Sequence, residues 1–326
     1  MGHLLDGKWT HEDKLKEIRE DGKYVKFDAI FRNWLSADGS TGFKAEAGRY
    51  HLYSSVSCPW AHRTELLRAL KRLDGLIGLT TTRQTEGGEG WTFLEDHIVP
   101  ATDTSVKYLH EVYALAAPDY TGRVTVPTLW DIEKRTIVSN ESSEIIKMFN
   151  EAFVGVAPDS PDFYPEALRA DIDAVNEMVL DGINNGVNRC GRGVSQEAYD
   201  AALDNLFAAL DALEERLSGQ RYLCGPEQTL ADWRLYPNLI RFDSIYYLGY
   251  KCNLRRIEDY PNLSAYLRDL YQTPGIAAVS DIETMKAGIY SGAGPVPSNG
   301  IVPRGPDLGL ERAHGRAGVG SARLQP

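Results

Sequence analysis

The strongest constraint in this chain is a cysteine set between a strand and a helix. Arg49-Tyr50-His51-Leu52-Tyr53 alternates as a strand does, and Ser57-Cys58-Pro59-Trp60-Ala61-His62-Arg63 follows, with proline where a helix would begin. A cysteine at that junction sits where the first turn's unpaired amide N–H groups converge, and the helix dipole there favours thiolate over thiol. On that argument Cys58 is a nucleophile; the other reading open to it is a small buried hydrophobe. Position 61 is alanine, so the dithiol motif in which a second cysteine resolves a disulfide is absent. Chemistry at Cys58 must then be completed by an outside, small-molecule thiol.

With 326 residues and 43% hydrophobic content the chain can bury a large core, and its length suits two ordinary domains. No stretch approaches the roughly 18 apolar residues of a membrane helix, and residues 1–17 are too polar for a secretory signal, so a cytoplasmic protein with no membrane partner is expected. A net charge of −11 argues against nucleic acid as the main partner, since that binding rests on clustered Lys and Arg. Cys58, Cys190, Cys224 and Cys252 have neither zinc spacing nor a disulfide framework, which fits a reducing compartment with no metal. Six of the seven histidines end at His110 and the last is His314. Acid or base groups from the stretch between them must be carboxylate, lysine or tyrosine.

The pattern along the chain is a mixed-charge N-terminal extension (1–45), expected to pack through Phe27, Ile30, Phe31 and Trp34. Then come a strand (49–54), a helix (59–72), a strand (76–82), a long glycine-rich insertion, a hairpin through Val126, Trp130 and Val138, and a helix over 141–151. This order describes a small mixed sheet with helices, occupying 46–153. Beyond a Pro- and Asp-rich linker, 165–302 is read as all helix, with a capping-box start at Thr229 and Asp232. Residues 303–326, rich in Gly, Arg and Ala, are read as a disordered tail.

Pro127 inside a strand marks either an edge or a bend, the bend allowing a cis bond and freeing the Val126 backbone for a ligand. Asn140-Glu141-Ser142-Ser143-Glu144 supplies a helix N-terminus that can hold a carboxylate, or that is ordinary capping. Trp91, after Glu86-Gly87-Gly88-Glu89-Gly90, either lies over a ligand or anchors a core, and the glycines before it read as an acidic surface loop, not a phosphate cradle.

Taken with Gly122-Arg123-Val124-Thr125-Val126-Pro127, Asn184-Asn185-Gly186-Val187, Ala231-Asp232-Trp233-Arg234, Lys251-Cys252-Asn253 and Ile301-Val302-Pro303, these motifs resemble the glutathione transferases, and more narrowly their Xi class, the glutathionyl-hydroquinone reductases. The resemblance implies an α/β plus all-α fold: a thioredoxin-like N-terminal domain binding glutathione and an all-helical C-terminal domain, in a homodimer. It implies Cys58 as nucleophile, Trp91 covering glutathione, Arg123, Val124, Thr125 and Val126 binding it, and Glu141 with Ser142 on its γ-glutamyl end. It also implies that Tyr246 and Tyr290 donate toward the sulfur.

The chain departs from the family pattern in the electrophile pocket. Asn188 stands where the family carries tyrosine, Gly249 where it carries histidine, and Gly288-Ile289-Tyr290 where it reads His-Tyr-Tyr. Asparagine can hydrogen-bond an oxygen but cannot shuttle a proton at neutral pH. The expected activity is glutathione-dependent removal of glutathione from glutathionyl-(hydro)quinone adducts through a Cys58–glutathione mixed disulfide. The alternatives are other adducts (ketones, thioethers or mixed disulfides of aromatic catabolism) or a non-catalytic interaction protein of the same family.

Overall fold

Tyr50, Leu52 and Tyr53 have no solvent exposure, so the strand that opens the cysteine motif is buried on both faces at the centre of a sheet. The computed structural model describes residues 2–11, 19–24, 27–84, 88–291, 296 and 298–320. They form two compact units: 1–16, 27–161 and 283–302 in the first, and 17–26, 162–282 and 303–326 in the second.

The first unit starts with a hairpin, β1 (His3–Leu5) and β2 (Lys8–Thr10), and its central strand is β3 (Tyr50–Ser54). Helix α1 (Pro59–Leu70) carries the chain across to β4 (Ile77–Gln84), which lies parallel to β3 with Leu52 opposite Leu79. A parallel pair needs such a crossover. Then follow β5 (Trp91–Ile98), β6 (Ser105–Tyr108), α2 (Leu109–Ala116), the hairpin β7 (Thr128–Asp131) and β8 (Thr136–Ser139), and α3 (Ser142–Glu151). The sheet order is β6-β5-β4-β3-β7-β8, with every pairing but β3–β4 antiparallel. The hairpin turn is pinned by the buried Asp131 carboxylate, which accepts from Arg49 Nη2 at 2.8 Å and from the Glu133 amide at 2.9 Å.

Two expectations about this unit need correction. The insertion after β4 is not loop: β5, β6 and α2 extend the sheet to six strands and bury Phe93, Val106, Val112 and Tyr113. A bulge between Thr92 and His97 leaves Leu94, Glu95 and Asp96 all exposed, and this erases the period-two signal that a sequence reading depends on. Residues 85–87 of the expected acidic loop lie outside the described residues. In the extension, Phe31 is half-buried against the core and Trp34 is half-buried, but Phe27 and Ile30 are exposed and Leu35, Phe43 and Ala45 are buried instead.

The second unit holds α4 (Arg169–Val179), α5 (Gly186–Arg192), α6 (Gln196–Gly219), α7 (Leu230–Arg241), the single turn α8 (Tyr247–Gly249) and α9 (Pro261–Tyr271). The last helix, α10 (Ile282–Tyr290), falls almost wholly in the first unit, so the boundary at 302 expected for the helical domain is replaced by one near 282. The described part of the tail is folded, not free. Arg316 is buried and its Nη2 donates to the carbonyls of Leu217, Gln220 and Arg221 at 3.0, 2.7 and 2.9 Å. A cation there satisfies the orphan carbonyls at the end of α6. Tail composition hid this because one arginine does the docking.

The capping box at Thr229 forms as read. Asp232, fully buried, accepts from the Thr229 amide (2.7 Å) and hydroxyl (3.0 Å), the Leu223 amide (2.9 Å) and the Tyr266 hydroxyl (2.7 Å). Burial pushes this carboxyl's pKa up against the pull of those donors. Asp232→Ala loses the cap and orphans buried donors, a cost of about 2–4 kcal/mol. Asp232→Asn, which keeps the shape, should lose less; the urea midpoints of the two variants check the order.

Candidate functional site

Cys58 occupies the N-cap of α1 with extended backbone (φ −90°, ψ 118°), and Pro59 fills the first helical position. A tight turn delivers it: the Cys58 amide donates to the Ser55 carbonyl at 3.0 Å, and the Ser55 and Ser57 hydroxyls bond at 2.9 Å. The sulfur makes no cap bond to the helix; it lies 3.8 Å from the Val126 carbonyl oxygen. It is half-buried, whereas Cys190, Cys224 and Cys252 are buried.

The Val126–Pro127 peptide is cis, and β7 begins only at Thr128, so Val124, Thr125 and Val126 run outside the ladder. Of the two sequence readings of Pro127, this is the bend. Among the described residues the Val126 amide has no backbone partner. The loop is held from behind by Tyr113, whose hydroxyl donates to the Thr125 carbonyl at 2.9 Å and accepts from Asn140 Nδ2 at 3.1 Å. Asn140 Nδ2 also reaches Thr125 Oγ1 at 3.3 Å, which ties the loop to the start of α3. Burial pushes the Tyr113 phenol's pKa up, so it remains a proton donor. Sequence reasoning missed Tyr113 because its helix was hidden in the insertion.

At that helix start Glu141 is the N-cap, and its Oε1 accepts from the Ser143 amide (3.0 Å) and hydroxyl (2.9 Å). The capping reading therefore holds for Glu141. Ser142 is buried, and its hydroxyl accepts from Arg63 Nη1 at 3.5 Å, a guanidinium that also lies over the Trp60 ring. Trp91 is the first residue of β5, not a loop residue, and is half-buried. Trp91 and Cys58 both pack on the apolar cluster that contains Tyr53, Ala61, Val124 and Val126. Arg123 Nη1 donates to the Gly2 carbonyl at 3.3 Å. Tyr290 is buried at the end of α10.

The same helix meets the cysteine turn directly. A Cβ on Gly288 would stand 2.3 Å from Ser57 Cβ and 2.8 Å from Ser57 Oγ, so glycine is what lets α10 close on this turn.

The remaining expected residues belong to the second unit. Asn188, half-buried on α5, donates its amide to the Asn184 carbonyl just before that helix at 3.0 Å. Tyr246 is buried and meets Tyr250 edge-on at 5.1 Å between centroids, while Gly249 ends α8 half-exposed. Gly191, one turn beyond Asn188, lies so close to Tyr250 that a Cβ would fall 1.9 Å from its ring. Two π-helical segments, Leu180–Asn184 and Phe242–Tyr246, adjoin these residues. Such segments cluster at functional sites, and nothing in a sequence pattern marks them. Among the described residues no group of His, Cys, Asp and Glu could hold a metal, and no helix is long and apolar enough to cross a membrane.

Comparison with known proteins bears on the fold and the family. The family model for the glutathione S-transferase N-terminal domain matches residues 57–152, and that for the C-terminal domain matches 196–269. The chain is 43% identical to the glutathionyl-hydroquinone reductase YqjG of Escherichia coli K12, over 97% of this chain and 98% of that one. It is 44% identical to the glutathionyl-hydroquinone reductase PcpF of Sphingobium chlorophenolicum, over 94% and 96%. The glutathione-bound YqjG structure superposes with a TM-score of 0.84 at 41% identity, covering 97% and 99% of the two chains. The Xi class transferase of Natrialba magadii does so at 0.86 and 40%, covering 97% and 96%.

Gly288→Ala gives a test of the site's packing. In a helix interior the change favours the fold by about 1 kcal/mol, so any loss comes from the clash. Cys58 alkylation by iodoacetamide should slow several-fold, about the effect of shifting the turn by a few tenths of an ångström. Adding Ser57→Gly, which removes both atoms that the Cβ meets, should return it toward the native rate. An unchanged rate in the single variant refutes the contact.

Proposed function

From the chain's membership of the glutathione transferases, in the Xi class of glutathionyl-hydroquinone reductases, we propose that Cys58 performs glutathione-dependent reduction of glutathionyl-(hydro)quinone adducts. The protein is an enzyme of this reductase type, which sets aside a purely interactive role. The Cys58 thiolate attacks the glutathione sulfur of the adduct. The sulfur–carbon bond breaks, its electron pair takes up a proton at the ring carbon, and the free hydroquinone leaves. Cys58 and glutathione are then joined as a mixed disulfide. A second glutathione attacks the glutathione sulfur of that bond, releasing glutathione disulfide and restoring Cys58.

The observation that carries this reading is the half-buried Cys58 at a helix N-cap, with Ala61 where a resolving cysteine would stand. The helix dipole favours the thiolate there. Trp91, Val124 and Val126 share its apolar cluster, and the unpaired Val126 amide is available to an extended peptide such as glutathione. Arg123, Thr125, Glu141 and Ser142 are assigned to the same ligand from the family resemblance, the last two at the N-terminus of α3. Tyr246 and Tyr290 are assigned as phenol donors that stabilise the sulfur's charge. We assign the enzyme to the cytoplasm, in keeping with four free cysteines, and a homodimer is assigned from the family alone.

Asn188 and Gly249 set the range of adducts. Because asparagine cannot shuttle a proton at neutral pH, proton delivery to the ring carbon is weaker here, which favours adducts that need less acid assistance, such as glutathionyl ketones, thioethers or mixed disulfides.

Cys58→Ser should reduce turnover with glutathione and a glutathionyl-hydroquinone by about a thousandfold or more while thermal unfolding stays close to native, since a serine hydroxyl is not ionised at neutral pH. A serine variant with most of its activity removes the mechanism. Asn188→Tyr should raise the hydroquinone rate by about tenfold or more, in the range that general acid catalysis supplies. High native activity with no gain in the variant shows that the reaction proceeds without that tyrosine.

A further inference from the structure

The N-terminal hairpin grips the two segments to which glutathione binding has just been assigned. On one side β1 adds to the chain before Val124: the Leu4 amide donates to the Gly122 carbonyl at 3.1 Å and the Gly122 amide returns to Leu4 at 2.9 Å. The Gly7 amide donates to the Tyr120 carbonyl at 2.9 Å, and the Asp6 amide to Thr121 Oγ1 at 2.9 Å. Arg123 itself reaches back to the Gly2 carbonyl.

On the other side β2 holds the approach to Trp91. The Trp9 ring stacks on His110 at 4.5 Å and 14°, and it fills the space beside Gly90, where a Cβ would come within 3.1 Å of it. Gly90 has φ +74°, a conformation that favours glycine. Glu89, one residue earlier, lies 3.3 Å from His110 Nε2 and 3.4 Å from His11 Nε2. Trp9 thus packs with Trp91 and Cys58 on one apolar cluster.

We propose that the hairpin β1–β2 is a strap that fixes Trp91 relative to the Arg123–Val126 loop, with Trp9 as a positioning residue for glutathione. The proposal rests on the reading that these two segments hold glutathione. Backbone hydrogen bonds set one end of the strap and a stacked indole sets the other, so the indole is the end that mutation can release without unfolding the sheet. The device acts on binding, because Trp9 supports the walls of the ligand site and takes no part in the sulfur chemistry. A loosened wall weakens binding while a saturated enzyme still reacts.

The test is calorimetric titration of glutathione into the full chain, alongside steady-state rates at saturating glutathione. Trp9→Ala should raise the glutathione Kd about fivefold, the worth of one aromatic stack, with kcat within about twofold of native. Trp9→Phe, which can still stack on His110, should recover most of the affinity. Glu89→Gln, which keeps the shape and removes the charge between two histidines, should raise Kd about twofold, and it keeps the proposal testable if Trp9→Ala fails to fold. Native-like Kd in Trp9→Ala, or in Glu89→Gln when the alanine variant does not fold, overturns the strap. Equal losses in affinity and kcat without recovery in Trp9→Phe also overturn it, as a general structural role would produce them. Failure of the native protein to bind glutathione overturns the parent reading and the strap together, whereas native binding with unaffected variants overturns the strap alone.

Discussion

One buried hydroxyl makes the architecture beside Cys58 possible. The chain from Val124 to Val126 leaves the sheet, and backbone groups that leave a ladder inside a protein must find other partners. The phenol of Tyr113 serves Thr125 on both sides, donating to its carbonyl and lying 3.4 Å from its amide nitrogen. Thr128 Oγ1 adds a second donor to that carbonyl at 2.8 Å, and Asn140 closes the network onto the start of α3 while its Oδ1 accepts the Phe31 amide at 3.2 Å. With Thr125 satisfied internally, Val126 can keep its amide free of the ladder and its carbonyl toward Cys58 while its side chain stays in the core. The openness at Val126 follows from the closure at Thr125.

How much of this was legible depends on whether the signal was local. β3, α1 and the β7–β8 hairpin could be read because alternation, a proline at the first helical position and a charged turn all sit within a few residues. The Thr229–Asp232 cap was legible for the same reason. β5 was not, because its bulge breaks the period and puts Leu94, Glu95 and Asp96 on the solvent side in succession. The tail was misread because its order comes from a single long-range contact: Arg316 against the end of α6, about a hundred residues away in sequence. Composition reports average tendency and is blind to one well-placed cation.

The site divides in the same way. Cys58 and Pro127 announced themselves through backbone chemistry that few other residues can supply. Tyr113 did not, since a tyrosine in a misassigned segment looks like any other, and neither did the pairs Gly288–Ser57 and Gly191–Tyr250, where the informative quantity is missing volume. Gly288 is instructive because the family resemblance implies a histidine at its position. In three dimensions it is a fitted surface: the Ser57 side chain occupies the space that any Cβ at 288 would need.

If Cys58 is the nucleophile proposed above, the absence of a resolving partner transfers precision from chemistry to binding. In a dithiol protein the second cysteine is held by the same helix, so its reach to the first is set by local geometry. Here position 61 is alanine, and the thiol that resolves the proposed mixed disulfide must arrive on a ligand, once in each cycle. The walls that orient that ligand then carry the burden that one helical turn carries elsewhere. The walls proposed for it are a strand start at Trp91 and a loop at Val126, both supported from outside the cysteine helix, by Tyr113 from within the fold and by the hairpin at its edge. A fold that gives up its second cysteine needs such remote supports, and substitutions far from the sulfur should therefore be felt first in affinity for the thiol.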